Sequence, residues 1–453
     1  MGLFSFRDYN AGMKEKLRIL VFNPNKGGCA YYRALMPMAK LMELYPDEIE
    51  VRFDENPLGI KVSAEEMEKA KKDWIESKGL EYTPDMDPSH YADAPPSLTW
   101  RDNFNFKNMK WADIIMISNI SNFGGQYMTR VIGKAHEFGK FVHFDTDDLL
   151  TDLYDSHRLY DTYKDRQLGE ITQFAYSKSH LVTVTQHKFA ARIKPHCKAM
   201  LGVVRNAIDY NLSSWNADRK NYPCHKKVIR IGWAGGIHHI PDVRVFAGVP
   251  RLVNQMVGAE RVRWDFYGHP PPSDDPEAVW QVEVWRDYKN QLLKGFKGHK
   301  NWQIHYALNP NDYGTIFANM DISIAPLAMN AFNDSKSDIK VAECGRYEVP
   351  LVASDVGCYS DTIKNGKTGY LLPAGASSMQ WAKVLAKLVR DKSHVKQMGV
   401  NLKKITDEHY DINSVVRDRL NIYYKCFDDC GFDPRNFRKY EEELKDMPDD
   451  PQS

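Results

Sequence analysis

The stretch Asn330–Gly357 reads Asn-Ala-Phe-Asn-Asp-Ser-Lys-Ser-Asp-Ile-Lys-Val-Ala-Glu-Cys-Gly-Arg-Tyr-Glu-Val-Pro-Leu-Val-Ala-Ser-Asp-Val-Gly. Ser335 and Ser337 are residue types that favour the N-cap of a helix. After Pro350, the apolar run 351–353 is typical of a buried strand. The stretch therefore predicts a polar loop, a short helix and a strand in succession, as in an α/β domain.

The predicted helix carries charges that suit a diphosphate. If it begins near Ser337, Lys340 lies in its first turn and Lys336 lies just before it, with Asp338 between them. The two ammonium groups then join free backbone N–H groups at the positive end of the helix, which is an arrangement that binds phosphate. Glu343, one turn on, is placed to accept hydrogen bonds from a ribose diol. The same residues also suit a surface helix with solvated lysines.

The first part of the chain alternates apolar runs with helical patterns, which predicts a doubly wound α/β domain. Its predicted strands are 17–23, 48–54, 111–118, 140–145 and 181–185. Residues 55–110 break the alternation with charges and prolines, so they predict an insertion on the domain surface.

Three carboxylates follow the strand 140–145. Asp145, Asp147 and Asp148 stand where ligands bind in such domains, beyond the carboxyl end of a strand. They could orient or deprotonate an acceptor hydroxyl, or bind a cation, and they also suit the N-terminus of a helix. His143 points to the same side as Asp145 by strand alternation, so it faces either the cleft or the core.

A second phosphate-type turn opens the second half of the chain. An apolar run from Val228 leads into Gly235 and Gly236, followed by His238 and a helix that starts at Pro241. Glycines between a strand and a helix let backbone N–H groups cradle a phosphate. The spacing does not match the Gly-x-Gly-x-x-Gly fingerprint of dinucleotide-binding domains.

The opening stretch and the turn that follows it carry a resemblance to a known family. A glutamate precedes a proline-led strand, and residues 365–369 then read Asn-Gly-Lys-Thr-Gly. This resembles the donor-binding half of nucleotide-sugar glycosyltransferases of the GT-B fold, in particular the large retaining family 4, also called glycosyl transferases group 1. Glu343 matches the second of that family's two glutamates, whereas Ser335, eight residues earlier, stands at the first. Asp334 or Asp338 could supply a carboxylate nearby.

The first domain adds two weaker resemblances. Gly27-Gly28-Cys-Ala-Tyr31-Tyr32-Arg33 resembles the first loop of bacterial and phage-encoded GT-B transferases, where it faces the interdomain cleft. Residues 202–209 resemble the family's Val-x-Pro-Asn-Gly-Val/Ile-Asp signature at the end of the first domain, with Asn206 and Asp209 in place. A branch of these transferases also carries Asp-Asp in place of the catalytic-site histidine, as at Asp147 and Asp148.

The resemblance implies an α/β, GT-B architecture with two Rossmann-like domains facing across a cleft. It implies the following segments: a first domain 1–210 with the insertion 55–110, a linker 211–227, a second domain 228–409, and a helix crossing back with an acidic tail over 410–453. The last segment is expected to return to the first domain.

The resemblance also implies the chemistry: transfer of a sugar, with retention, from a nucleotide diphosphate sugar, for which UDP is favoured, without a metal or another cofactor. The implied roles are these: catalysis by Asp145, Asp147, Asp148 and Lys340; donor binding by Gly27, Gly28, Gly235, Gly236, His238, Lys336, Ser337, Asp338, Lys340 and Glu343; and the acceptor side by Tyr31, Tyr32, Arg33 and His143.

Two alternatives to a transferase stay open at this point. A nicotinamide-dependent oxidoreductase also uses paired α/β domains, although the chain lacks the full glycine fingerprint. A non-catalytic nucleotide-binding module is suggested by Ser335 at the glutamate position.

The acceptor is the least determined part of the prediction. A saccharide or lipid-linked glycan is one candidate, and a hydroxymethylated pyrimidine in phage DNA is the other. The net charge of +1, from 61 basic and 60 acidic residues, gives no global field towards nucleic acid. Basic and aromatic residues of the insertion could still form a groove for a flipped base, namely Lys69, Lys71, Lys72, Arg101, Lys107, Lys110, Trp74, Trp100 and Trp111.

Cysteine usage and hydropathy predict a cytoplasmic protein. The seven cysteines include no Cys-x-x-Cys pair, so they are expected to be reduced thiols outside any zinc site or disulfide framework. The chain shows no signal-peptide core and no apolar run of membrane-spanning length. The oligomeric state does not follow from the sequence.

Overall fold

The chain folds around two parallel β-sheets of six strands each. The computed structural model describes residues 15–22, 28–54, 64–83, 86, 106–118, 125–157, 160–165, 167–219, 228–236, 239–271, 276–296 and 298–446. Helices cover both faces of each sheet, which explains why the central strands are continuous apolar runs. The predicted α/β class with two doubly wound units is confirmed.

The first sheet has the strand order β2-β1-β3-β4-β5-β6. Its strands are β1 (Leu17–Phe22), β2 (Ile49–Asp54), β3 (Ile114–Ser118), β4 (Phe141–Asp145), β5 (Leu181–Val184) and β6 (Met200–Val203). The order reverses between β1 and β3, so that a crevice opens at the carboxyl ends of these strands. The last strand, β6, was not predicted from the sequence.

The second sheet has the strand order β12-β11-β10-β7-β8-β9. Its strands are β7 (Ile229–Ala234), β8 (Val262–His269), β9 (Trp302–Tyr306), β10 (Ile322–Ala325), β11 (Leu351–Ser354) and β12 (Gly369–Leu372). This is the Rossmann order, with its switch point between β7 and β10. The ends of these two strands are therefore the expected place for a ligand.

Helices connect the strands in both units. Those of the first unit are Gly28–Ala30, which runs through a π-helical stretch Tyr31–Leu35 into Met36–Leu44, then Ala64–Ser77, Lys107–Trp111, Gly125–Glu137, Tyr160–Asp165, Leu168–Lys178 and His187–Ile193. Those of the second unit are Ile240–Val245, Val249–Val257, Pro276–Leu292, Pro310–Tyr313, Thr315–Ala318, Ala331–Asp334, Ile339–Gly345, Tyr359–Thr362, Ser378–Arg390 and Lys392–His409. Ile412–Cys430 and Glu441–Asp446 end the described part of the chain.

Two details of the opening stretch differ from the sequence prediction. The short helix begins at Ile339, after Asp338, and not near Ser337. Ser335 caps no helix N-terminus, because it ends the preceding helix and its hydroxyl donates to the backbone oxygen of Ala331 at 2.9 Å. Lys340 keeps its place in the first turn.

The helix Ile412–Cys430 returns to the first sheet. Val416, Leu420 and Tyr423 are fully buried and pack in one cluster with Leu17 and Phe141 of β1 and β4. Among the described residues, none of the helices combines the length and the apolar character needed to cross a membrane. The apolar face of the returning helix is accounted for by this packing.

A buried ion network joins the returning helix to β4. Asp145 accepts hydrogen bonds from Arg33 Nε at 2.8 Å and Nη2 at 2.7 Å, and from Arg419 Nη1 at 3.2 Å. All three side chains are at most 2% exposed. The two guanidinium groups hold the pKa of Asp145 far below its usual range, against the effect of burial.

His143 belongs to the same buried layer. Its ring nitrogens lie 2.7 Å from the hydroxyls of Tyr423 and Thr183. Burial lowers the pKa of His143 to about 3, so the ring is neutral. The assignments of Asp145 to catalysis, and of Arg33 and His143 to the acceptor side, are corrected here, because none of these side chains reaches the surface.

We expect Arg419→Ala to lower the free energy of unfolding by about 3–5 kcal/mol, because it takes away one partner of a buried carboxylate. Arg417, on the exposed face of the same helix, gives the matched control. Arg417→Ala should change that free energy by less than about 0.5 kcal/mol. Urea unfolding followed by circular dichroism measures both, and equal stabilities would show that the network contributes nothing.

Candidate functional site

The switch point of the second sheet is organised by one buried carboxylate. Asp242, in the helix after β7, is 1% exposed. Its Oδ1 accepts from the backbone N–H of Ala328 at 2.7 Å and from Asn333 Nδ2 at 2.8 Å, both just beyond β10. Its Oδ2 lies 2.6 Å from His239 Nδ1. Asp242 thus joins the ends of the two strands between which the crevice opens.

Lys340 and Glu343 form an ion pair beside this crevice. Lys340 Nζ donates to Glu343 Oε2 and to the hydroxyl of Tyr313, each at 2.7 Å. Burial alone would lower the pKa of Lys340, but the Glu343 carboxylate raises it, so the ammonium is kept. Lys340 and Glu343, which were predicted to lie one turn apart on the same helix, are therefore in contact. Tyr313 also belongs to this group, although the sequence did not suggest it.

The other acids of the opening stretch have partners. Asp334 pairs with Lys188 at 3.2 Å and with Arg192 at 2.7 Å, both from the first unit. Asp338, 4% exposed, accepts from the Tyr410 hydroxyl and lies 3.7 Å from Arg205. Asp338 was predicted to bind donor, and its partners correct that assignment to a structural one.

Side chains of the first unit donate hydrogen bonds to the loop 334–338 and to the nearby Gly357. Gln186 Nε2 donates to the backbone oxygen of Asp334 at 2.8 Å, and Lys188 Nζ to that of Gly357 at 2.7 Å. Asn206 Nδ2 donates to Ser337 Oγ at 3.0 Å. Ser337 therefore serves the contact between the two units, and the loop that precedes Lys340 is positioned from across the cleft.

Asp147 and Asp148 belong to the first unit. They lie on the wall of the cleft that faces Lys340 and Glu343 of the second unit. The Sγ of Cys29 and one carboxylate oxygen of each aspartate lie within 4.8 Å of one another. Asp147 Oδ1 is buried and has no hydrogen-bond partner in the described part of the chain. Lys336, from the second unit, acts electrostatically on both Cys29 and Asp148. The structure thus brings together Asp147, Asp148 and Lys336, which were predicted as site residues, and places Cys29 beside them.

The two aspartates share a site that disfavours two negative charges. Burial and the neighbouring Asp147 raise the pKa of Asp148 to about 7, although Lys336 lowers it. Burial also raises the pKa of Asp147. The Asp147 carboxylate and burial raise the pKa of the Cys29 thiol, so this sulfur stays protonated. Asp148 is therefore partly protonated close to neutral pH.

The tyrosines of the first loop differ in their positions. Tyr32 packs against the core of both units, and burial together with the Glu343 charge raises its pKa. Tyr31 is half-buried and meets the ring of Tyr32 edge-on at 5.4 Å. Tyr32 thus links the first loop to the Lys340–Glu343 pair.

Of the predicted glycines, Gly28, Gly235 and Gly236 are described. Gly28 begins the first helix, and Gly235 follows β7, where its N–H donates to the backbone oxygen of Tyr267 at 3.2 Å. Gly27 and His238 lie outside the described residues.

His239 is a site residue that the sequence analysis missed. Its ring meets Trp233 edge-on at 6.1 Å, and its pKa is lowered by burial and by the charge of Lys336. The signal was present in the sequence, because His239 and Asp242 are three residues apart at the start of a helix.

Comparison with known proteins agrees with this geometry. Residues 285–405 match the family model for the glycosyl transferases group 1. A sucrose-phosphate synthase from Thermosynechococcus elongatus superimposes with a TM-score of 0.55 at 12% identity, covering 91% of this chain and 100% of that one. The chain has the GT-B fold of these transferases, and part of its second unit matches the family model.

Other solved structures share this fold. HepE from Anabaena, in complex with UDP-glucose, gives a TM-score of 0.56 at 14% identity over 90% of this chain and 100% of that one. A glycosyltransferase from Rickettsia africae gives 0.53 at 13% identity over 91% and 99%. A comparison with curated proteins gives no match. The predicted GT-B architecture is confirmed.

The raised pKa of Asp148 makes a prediction for stability. Folding raises this pKa from about 4 in the unfolded chain, so the folded state binds more protons between about pH 4 and pH 7. The contribution of Asp148 to stability therefore falls as the pH rises through that window. We expect Asp148→Asn to be more stable than the wild type by on the order of 1 kcal/mol at about pH 8, with a smaller difference at about pH 5.

Urea unfolding at the two pH values measures this difference. Asp152→Asn, at an exposed position shortly after Asp148, is the matched control and should show no pH-dependent gain. A constant difference between Asp148→Asn and the wild type would contradict a raised pKa.

Proposed function

We propose that this protein is a glycosyltransferase that moves a sugar, with retention of anomeric configuration, from a nucleoside diphosphate sugar to an acceptor hydroxyl. The observation that carries the proposal is the Lys340–Glu343 pair at the carboxyl ends of the second sheet, with the carboxylates of Asp147 and Asp148 across the cleft. The complex of HepE with UDP-glucose, on the same fold, supports this class of donor. UDP is favoured over GDP as the commoner donor nucleotide.

The donor diphosphate would lie between Lys336, Lys340 and the turn at Gly235 and Gly236. Lys336 forms no ion pair within the described residues, so its ammonium is available to a phosphate. Backbone N–H groups at a strand-to-helix turn complement this charge. Glu343 would accept hydrogen bonds from the ribose diol while it keeps Lys340 in place.

The leaving nucleoside diphosphate would be stabilised by these lysines during sugar transfer, because developing negative charge is stabilised best by cations already in place. The acceptor hydroxyl would lie against the other wall, where Asp147 Oδ1 has no hydrogen-bond partner among the described residues and would accept its hydrogen bond. The acceptor proton then passes to the donor diphosphate or to Asp148, whose pKa of about 7 suits either state.

We expect Lys336→Met to weaken binding of UDP or GDP by about 1.5–3 kcal/mol, because one charge-assisted contact to the diphosphate is lost. The melting temperature should change little. Lys367→Met, at an exposed position on the second unit, is the matched control and should bind like the wild type. Calorimetry with both nucleotides measures the change.

Lys340→Ala and Glu343→Ala should weaken binding to a similar degree. Glu343 is only 3% exposed, so either substitution leaves a buried charge without its partner and also lowers stability. Wild-type affinity in all three variants would remove the donor from this site.

Metal-independent transfer is a further expectation. Cys29, Asp147 and Asp148 offer a thiol and two carboxylates within reach of one cation, but Lys336 already supplies positive charge there. Transfer should therefore persist at the same rate in EDTA. Complete loss, with recovery on adding Mg²⁺ or Mn²⁺, would instead make the two aspartates metal ligands.

Two acceptors remain in the proposal, a glycan and hydroxymethylated pyrimidine DNA. Lys69 and Lys72 are exposed on the helix Ala64–Ser77, as a basic surface would require. Trp111 is only 6% exposed, and the Arg52 guanidinium carbon lies 3.9 Å from the centre of its ring. This tryptophan therefore offers no face to a base. Trp100 and Arg101 lie outside the described residues. The buried Trp111 favours the glycan.

Transfer from labelled UDP-sugars tests the proposal directly. The transferase is incubated with a glycan extract or with hydroxymethylcytosine DNA, and the label is followed into each product. Label in glycan alone would support the favoured acceptor. Label in the nucleoside fraction, with DNA binding that weakens steeply with salt, would establish the DNA acceptor. No transfer, and no donor hydrolysis without acceptor, would contradict catalysis by this site.

A further inference from the structure

His239 stands at the donor site with one ring nitrogen engaged and the other available. Its Nδ1 lies 2.6 Å from Asp242 Oδ2, and its side chain is 24% exposed. Asp242 also accepts two other hydrogen bonds, from Ala328 and Asn333, which fix the carboxylate that orients the ring. Among the described residues, the ring of His239 hydrogen-bonds only through Nδ1, to Asp242.

The tautomer of the His239 ring follows from its hydrogen-bond partner, the carboxylate of Asp242. A carboxylate oxygen accepts hydrogen bonds, so Nδ1 carries the hydrogen. A neutral ring then has a lone pair at Nε2, which repels a phosphate oxygen. A protonated ring has N–H groups at both positions and can donate from Nε2. The charge of the ring therefore decides whether His239 opposes or assists a bound diphosphate.

Charged groups face His239 from several elements. Asp242 lies on its own helix, Lys336 on the loop before Ile339–Gly345, and Lys340 on that helix. His157, from the first unit, also acts on it electrostatically. The Tyr288 hydroxyl bonds to its backbone. Without a ligand the two lysines oppose a further positive charge at the ring, and a diphosphate lying between them would cancel that opposition.

We propose that His239 takes up a proton when a nucleoside diphosphate binds and then donates a hydrogen bond from Nε2 to a phosphate oxygen. Asp242 is the positioning residue, because it fixes the ring and stabilises the imidazolium. This inference rests on the proposed donor site. It makes donor affinity depend on pH through a residue other than the lysines.

The sign of the dependence follows from linkage. When a ligand raises the pKa of a protein group, that group takes up protons as the ligand binds. The affinity for the ligand therefore falls as the pH rises. Where a full proton is taken up, the affinity falls by about tenfold per pH unit. A site composed only of lysines and backbone N–H groups would give a flat profile near neutral pH.

Proton uptake is measured by titration calorimetry of UDP and of GDP into the full chain. The same titration is run in HEPES and in Tris, whose ionisation enthalpies differ, and the slope gives the protons taken up. A pH of about 7.5 is suitable, because the terminal phosphate of the nucleotide, with a pKa of about 6, is then already ionised. The wild type should take up between about 0.5 and 1 proton per nucleotide.

Two histidine variants locate the proton. His239→Gln keeps a polar side chain that cannot titrate, and its uptake should fall to near zero. His157→Gln is the matched control, because His157 is close to the same charges, and it should take up protons like the wild type. His239→Asn, whose amide can still donate to Asp242, is the second variant in case His239→Gln fails to fold, as judged by thermal melting.

Each result has a distinct meaning. Loss of uptake in the His239 variants alone supports the proposal. Nucleotide binding without uptake in the wild type, or with uptake kept in the His239 variants, overturns it and leaves the donor site intact. Uptake lost only in His157→Gln overturns it in favour of His157. If neither UDP nor GDP binds, the proposed function fails and this inference fails with it.

Discussion

A buried carboxylate connects the core of the first domain to the loop 334–338 of the second. Asp145 is neutralised by Arg33 and Arg419, and Arg33 Nη1 also donates to Asn206 Oδ1 at 3.0 Å. Asn206 in turn donates to Ser337, just before the helix that carries Lys340. Because these groups hydrogen-bond to one another in series, a displacement of one of them leaves a buried polar group of its neighbour unsatisfied. The position of the cleft walls thus depends on this network.

The cleft that results has walls of opposite charge. The first domain contributes Asp147 and Asp148, while the second contributes Lys336 and Lys340. In the proposed function, the diphosphate lies on the cationic wall and the acceptor hydroxyl on the acidic one. The raised pKa of Asp148 shows what this separation costs, because burial and the neighbouring Asp147 carboxylate both oppose a second negative charge there. Groups in such a state are available for proton transfer.

Much of the fold could be predicted from the sequence. Apolar runs such as 17–22 and 351–354 are bounded by polar turns, and parallel strands covered on both faces need such runs. The strand β6 was missed, because Met200–Val203 is only partly buried and shows no distinct pattern. The start of the helix at Ile339 was also misplaced, since the side chains of Ser335 and Ser337 found other partners. Tertiary contacts decided both.

What the sequence by itself determined is the chemistry available at strand ends: glycines after β7, lysines around Ile339–Gly345, and aspartates after β4. The position of these residues just after predicted strands is enough to place them together, because a parallel sheet gathers the carboxyl ends of its strands at one edge. Only the tertiary structure decided which aspartate is buried among arginines and which ones face the cleft. Asp145 and Asp147 are two residues apart and look alike in the sequence. Their roles differ because Arg33 and Arg419, which are distant along the chain, reach only the first of them through hydrogen bonds.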